Sequence, residues 1–413
     1  SRGLGDVYKR QRQINGLSNN EKANLLLEKH TFKELLADVE QRNLQNNIVG
    51  LEASRLFARS EINMGVDAFR DSLYAMLKRN TFLNIKFENM LDTLGEMSRT
   101  DLYSYLKEWE QLTPLPFYSI GEPELTKVVN KGGEEFFVLK VLVSNNSDYD
   151  GIIQMNVLQN GWWYQPMEDP RARKKVEIAA HTSKEFVSVW EEQIRDVEIN
   201  TMVSGNLPYM IRQSIGNVKQ ERNKIVKDTI YTLPESSLEM PGEVIVDNED
   251  STLFVLSTPA VVGLLPKWLD KVEDTSFKYS GISWWRAPLQ WTATTNAKYY
   301  GKYIRSAYVI KSGDGSQTAT WKIPVPEAGQ YELYYHVFKD DELRWNDRLQ
   351  GEYHFRVAYD SEMEDAYINL RKANEGWEQL GTYYFSADTV RVMLTDECKL
   401  RSVTADAVKI VKR

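Results

Sequence analysis

Cysteine is nearly absent from this sequence. Of 413 residues only Cys398 is one, so no intrachain disulfide can form. Packing has to hold the chain together, which suits a cytosolic protein and equally a bacterial secreted protein built on sheets. Histidine is scarce too: His30, His181, His336 and His354 are the only four, and none stands in an H-E-x-x-H arrangement. No apolar run approaches the roughly 18 residues of a membrane span. The longest, near Thr258–Leu265, is short and carries Pro and Gly. The glycine patterns that cradle phosphates or dinucleotides are missing, as is a nucleophile elbow. "KSGDGSQ" (Lys311–Gln317) has no strand-then-helix setting and reads as a hairpin turn. Basic residues are not in excess either. Lys and Arg number 51 against 59 Asp and Glu, a formal charge of −8. That excludes a general nucleic-acid binder, which needs a basic face to neutralise phosphates. The run Arg171–Lys175 reads as a solvated loop.

What is present is a substantial apolar content, 42%, enough for packed cores in more than one domain. Residues 12–118 read as a helical segment. In "NNEKANLLLEKHTFKELLADVEQ" Leu25, Leu26, Leu27, Phe32, Leu35, Leu36 and Val39 recur near a 3.6 period. Phe69, Leu73, Met76 and Leu77 make a second stripe, and Phe87, Met90, Leu91 and Leu94 a third. Ser98 is the expected N-cap of a further helix, with Asp101 three residues on. After "TPLPFYSIGEP" the period becomes two. "EEFFVLKVLVSN", "GIIQMNVLQNGWWYQ" and "KKVEIAAHTSKEFVSVWEEQI" read as strands of a β domain over residues 119–240, ending in a polar linker from "NVKQERN" onward. Residues 241–413 are again rich in alternating stretches, and their turn spacing favours a sandwich over a parallel α/β sheet.

Five stretches of the last segment carry a resemblance. They are "EVIVDNED" (Glu243–Asp250), "WTATTNAKYYGKYIRSA" (Trp291–Ala307), "ATWKIPVPEAGQYELYYHV" (Ala319–Val337), "GWEQLGTYYF" (Gly376–Phe385) and "SVTADAVKIV" (Ser402–Val411). Together, in this order, they resemble the golvesin-like domain, also known from the C-terminal region of xanthan lyases. The resemblance implies a jelly-roll or galactose-binding-like β-sandwich. It makes Ala319–Val337 the central hairpin and Trp291, Trp321 and Trp377 core residues. The stretch Ser257–Gln290 is longer than the family pattern leads one to expect. Within the first segment, Gly50–Pro116 resembles the C-terminal end of the catalytic domain in aminopeptidase-N-like gluzincins. A helix ends in glycine before an aromatic, a "YAMLKR" helix and an "FENML" helix follow, and "SRTDLYSYLKEW" leads to a "PLP" exit. That resemblance implies an Ig-like β domain for residues 119–240. It places zinc and its ligands in the full-length parent, upstream of this chain, and no catalytic residue or metal ligand falls on any position here. The start, "SRGLGDVYKRQ" (Ser1–Gln11), has no Met and no signal-peptide pattern. It resembles a stretch that recurs at the ends of environmental-sequence translations, so residues 1–11 are expected to be an artefact tail on a metagenomic fragment.

Candidate sites follow from what packing leaves over. Carboxylates in "DNED" (Asp247–Asp250) and at Asp340–Glu342 are explained better as charged turns than as a Ca²⁺ site or a glycosidase pair. Flat aromatic rings stack on sugars, and polar side chains at the rim meet the hydroxyls. Trp284, Trp285 and Arg286 in "SGISWWRAPLQW", and Trp345 in "DDELRWNDR", are tryptophans and an arginine set among polar loop residues. They are the expected ligand-binding residues, with polysaccharide as the partner class. The sequence thus reads as a helical segment, an Ig-like β-sandwich and a golvesin-like β-sandwich. Its expected role is that of a non-catalytic accessory fragment of a large secreted bacterial protein, periplasmic or extracellular, in contact with other domains of its parent. The alternatives are the C-terminal portion of an active zinc peptidase and a purely structural spacer.

Overall fold

A computed structural model describes residues 16–81, 83–112, 114–159, 169–222, 226–236, 238, 242–257, 277–282, 287–339 and 351–413. The chain divides into two compact units. One is Ser18–Leu238; the other is Glu239–Arg413 with residues 16 and 17. Among the described residues no helix is long and apolar enough to cross a membrane.

The first unit begins with helices: α1 (Asn19–Leu27), α2 (Phe32–Ala37), α3 (Gln45–Met64), α4 (Val66–Arg79), α5 (Phe87–Ser98) and α6 (Leu102–Leu106). Reciprocal capping boxes start the first two, Ser18 with Glu21 and Thr31 with Glu34. The N-cap of α6 differs from the expectation. Ser98 ends α5, its Oγ donating to the Leu94 carbonyl at 2.6 Å, and Asp101 caps α6 by accepting from Tyr103 N and Ser104 N. Asp101 wins because its carboxylate sits at the non-helical residue just before the first free N–H groups, whereas Ser98 is the last residue of a helix. Leu56, Leu91, Leu94 and Leu102 form the helical core.

Two stacked sheets follow. The strands are β1 (Tyr118–Ile120), β2 (Glu124–Val129), β3 (Glu135–Asn145), β4 (Gly151–Gln159), β5 (Arg173–Ile178), β6 (Thr182–Trp190), β7 (Ile194–Asn200), β8 (Met210–Ser214), β9 (Val218–Arg222) and β10 (Thr229–Pro234). One sheet runs β10-β6-β3-β2-β9 with β1 on β3, and the other β5-β4-β7-β8. Their inner faces share a core of Leu139, Val141, Val143, Val157, Phe186, Trp190 and Val197. The polar stretch expected to be a linker instead supplies β9, parallel to β2, and β10, antiparallel to β6. Both are outer strands with mostly exposed side chains, so no apolar alternation marks them. The helices pack onto this sandwich through Ala58, Ile152 and Met202, and through an ion pair of Lys175 with Glu61.

The second unit holds β11 (Glu243–Val246), β12 (Phe254–Leu256), β13 (Thr292–Thr295), β14 (Ser306–Lys311), β15 (Thr318–Pro324), β16 (Gly329–Val337), β17 (Glu352–Tyr359), β18 (Glu362–Asn369), β19 (Gly376–Phe385), β20 (Thr389–Thr395), β21 (Ser402–Ala405) and β22 (Val408–Lys412). The sheets run β11-β22-β16-β19, β12-β15-β20-β17-β18 and β13-β14-β21. The first two enclose the core, a β-sandwich as expected. Ala319, Trp321 and Ile323 are buried on one sheet and Tyr331, Leu333 and Tyr335 on the other. The stretch Ala319–Val337 is therefore not a hairpin. β15 and β16 belong to different sheets, and the segment from Pro324 through Pro326 carries the chain across the sandwich. Proline cannot donate to a ladder, which suits this corner. The crossing lets Trp321 meet Tyr335 edge-on, ring centroids 6.1 Å apart. "KSGDGSQ" likewise links two sheets, since β14 pairs with β13 and β21 and not with β15.

Two outcomes test this packing. Trp321 is fully buried, so Trp321→Ala should destabilise the unit by about 3–5 kcal/mol in chemical denaturation. In the other unit, His181 lies between Glu235 (2.7 Å) and Asp148 (2.8 Å), and those hydrogen bonds, Glu235's foremost, raise its pKa. A raised histidine stabilises the fold fully below its unfolded pKa, about 6.5, and the gain is lost as pH rises through the folded value. Melting curves of wild type and His181→Gln should therefore differ at pH 5.5 and converge toward pH 8.5.

Candidate functional site

Between β21 and β22 the chain passes through Asp406, which is fully buried. Its carboxylate accepts from the Tyr300 N–H at 3.2 Å and faces His336 Nδ1 at 2.8 Å. The Asp406 carbonyl accepts from Trp321 Nε1 at 3.2 Å, and the neighbouring Ala407 carbonyl accepts from His336 N at 2.9 Å. Two residues earlier, the Thr404 carbonyl accepts from the Tyr335 hydroxyl, and Thr404 N donates to the Tyr353 hydroxyl at 3.0 Å. Burial holds the Asp406 carboxyl above the usual carboxylate range, against the pull of His336. Burial raises Asp247 as well, with the Asp406 charge adding to it, and lowers Arg305, whose charge Asp406 supports.

The segment Asn296–Arg305 folds over this acid because its own sequence closes it. Asn296 Oδ1 accepts from Lys298 N at 2.9 Å, and Arg305 Nη1 donates to the Ala297 carbonyl at 2.9 Å. Gly301 has φ +155, and a Cβ there would lie 1.9 Å from the Ile304 carbonyl oxygen, so only glycine fits.

On the outward side of the β11-β22-β16-β19 sheet this arrangement assembles three rings. His336 alternates with the buried Tyr335 and Val337 and so points away from the core, opposite Trp377 in the strand register. Tyr300 and Trp377 lie 5.0 Å apart, His336 and Trp377 5.2 Å, and Tyr300 and His336 5.8 Å. Lys409 Nζ stands 4.9 Å from the Trp377 ring and 5.4 Å from the Tyr334 ring, and pairs with Glu243 at 2.7 Å. At the edge of the group Lys298 pairs with Glu375 at 3.2 Å. When ionised, the Asp406 carboxylate only accepts, so the hydrogen between the two groups sits on His336 Nδ1. The group offers flat rings and charged partners. It can bind.

Trp377 was expected in the core with Trp291 and Trp321. Trp321 is there and Trp291 packs partly against it, but Trp377 is half-buried on the other side of its sheet. Alternation decides this, because Trp377 lies opposite His336 and not opposite the inward Tyr335. Trp284, Trp285, Arg286 and Trp345 lie outside the described residues, as do Gly161–Pro166 and Asp340–Glu342. The "DNED" carboxylates are occupied by protein donors. Glu249 accepts from Tyr279 (3.0 Å), Lys278 (2.5 Å) and Ser306, Asp247 accepts from Asn248 N (2.7 Å), and Asp250 closes a turn onto Thr252. Among the described residues no group of three or more His, Cys, Asp or Glu is placed to hold a metal ion.

Several solved structures are similar to parts of this chain. The Paenibacillus xanthan lyase is 16% identical, with 73% of this chain and 27% of that one covered at a TM-score of 0.29. The Podospora anserina GH26-CBM35 β-(1,4)-mannanase is 11% identical, covering 42% and 28% at 0.22. A calcium-binding mutant of Bacteroides uniformis β-glucuronidase 2 is 11% identical, covering 77% and 33% at 0.21. This chain thus spans about a third or less of each. No curated protein matches it. Residues 285–412 match the family model of the Golvesin C-terminal domain. The matched residues include β13–β22, Tyr300, His336, Trp377 and the Asp406 junction.

Proposed function

We propose that the second unit is a non-catalytic module that binds carbohydrate on behalf of a larger secreted bacterial protein, outside the cytoplasm. The observation that carries this reading is the ring group Tyr300, His336 and Trp377, which Asp406 holds on the outward side of its sheet. Burial in the core does not explain these rings, and the partly exposed Trp377 among them is the kind of ring a pyranose face stacks on. Lys298 with Glu375, each about a third exposed, provides charged groups for hydroxyls at the rim. Trp284, Trp285, Arg286 and Trp345 remain proposed as further ligand contacts of the same module. The helical segment and the first sandwich then serve as spacer and as contact to other domains of the parent. No residue of this chain is assigned a catalytic role.

The test is affinity electrophoresis of the whole chain in gels containing galactomannan, glucuronoxylan, xanthan or a β-(1,3)-glucan. Wild type should be retarded by at least one polymer. Trp377→Ala should weaken that retardation about tenfold, equivalent to about 1.4 kcal/mol, while melting as wild type does. Retardation unchanged by Trp377→Ala contradicts the reading.

A further inference from the structure

The opposite face of the same sandwich carries a second ring with no packing duty. Tyr367 stands on β18, the edge strand of the β12-β15-β20-β17-β18 sheet, directly across from His354 on β17. Their rings are stacked, 4.9 Å apart and 9° from parallel. His354 is 8% exposed and fixed at both nitrogens: Nε2 lies 2.7 Å from Asp365 Oδ1, and Nδ1 lies 3.2 Å from Glu397 Oε2 and 3.4 Å from Thr395 Oγ1. The imidazole cannot rotate without breaking these contacts, so it backs one face of the tyrosine as a rigid floor. Tyr367 itself is 58% exposed. β18 is the edge strand, so among the described residues no strand pairs with its far side. One row along the same face, Asp365 lies opposite Arg356, with both side chains about half exposed.

We propose that Tyr367, backed by His354, is a second sugar-stacking surface. It takes one pyranose ring of a polysaccharide, with Asp365 and Arg356 bonding that ring's hydroxyls. The chemistry of the face selects this occupant. A protein partner needs a contiguous apolar centre; the outward residues next to Tyr367 are His354, Asp365, Arg356, Glu352 and Asn369, and the outward methionines, Met363 and Met393, lie beyond Asp365 and Arg356. A nucleic acid needs a basic face, and here carboxylates crowd the ring. A sugar presents one apolar C–H face ringed by hydroxyls, which a single flat ring beside a carboxylate and a guanidinium matches. The inference goes beyond the Trp377 reading. The two rings stand on the outer faces of opposed sheets, so each has its own variant.

The test uses the full chain in the same four gels, comparing Tyr367→Ala, Tyr367→Phe and Trp377→Ala. Where wild type is retarded, Tyr367→Ala should lose about fivefold or more in apparent affinity. Tyr367→Phe, which keeps the ring, should stay within about twofold. If Tyr367→Ala binds as wild type while Trp377→Ala does not, the second surface is overturned and the first stands. If the reverse holds, the second stands and the first falls. Loss in both Tyr367 variants overturns stacking as the mechanism, and no retardation of wild type in any gel overturns the proposal outright.

Discussion

The second sandwich depends on one short segment, Thr404–Val408, and on the buried Asp406 at its centre. Within five residues the backbone and one side chain accept from or donate to Trp321 and Tyr353 on one main sheet, Tyr335 and His336 on the other, and Tyr300 from the overlying segment. A buried carboxylate without partners would cost several kcal/mol. Here its oxygens meet a backbone N–H and an imidazole, so the polar group costs less and fixes which elements lie next to it.

That constraint links fold to function. The large rings of the core, Trp321 and Tyr335, reach the segment from inside, while Tyr300 and His336 reach the same residue from outside. The outward rings are thereby held in place without being buried. A binding face that must lose little freedom when a ligand arrives gains from this kind of preorganisation. Gly301 plays its part by letting Asn296–Arg305 turn tightly enough to bring Tyr300 N onto the acid.

Much of this was legible in the sequence. The alternation of "GQYELYYHV" puts Tyr331, Leu333 and Tyr335 on one face and Tyr334 on the other, and the burial of β16 follows it. The helical start and the β-rich remainder were equally clear from period alone. What escaped was set by tertiary partners. Proline at Pro324 and Pro326 marks a break between two runs, but whether the runs pair or part is decided by the other strands, β20 and β19, that each joins. The strand β18, "EMEDAYIN", is too acidic to look like one, because it is an edge strand that, among the described residues, pairs with β17 alone. Tyr367 was hidden with it. Trp377 was taken as core from its place in a family-like motif, although its phase against Tyr335 on the neighbouring strand puts it outside. Nothing in the sequence around His336 and His354 marks them, because their carboxylate partners lie 70 and 11 residues away.

The central claim is that the face organised by Asp406 is where this module meets its ligand. Hydrogen exchange of the full chain, with and without the polysaccharide that retards it most, addresses this directly. The account expects slowed exchange at residues 297–303 and 376–379, around Tyr300 and Trp377. Protection confined to Ser18–Leu238, or no protected segment at all, would contradict it.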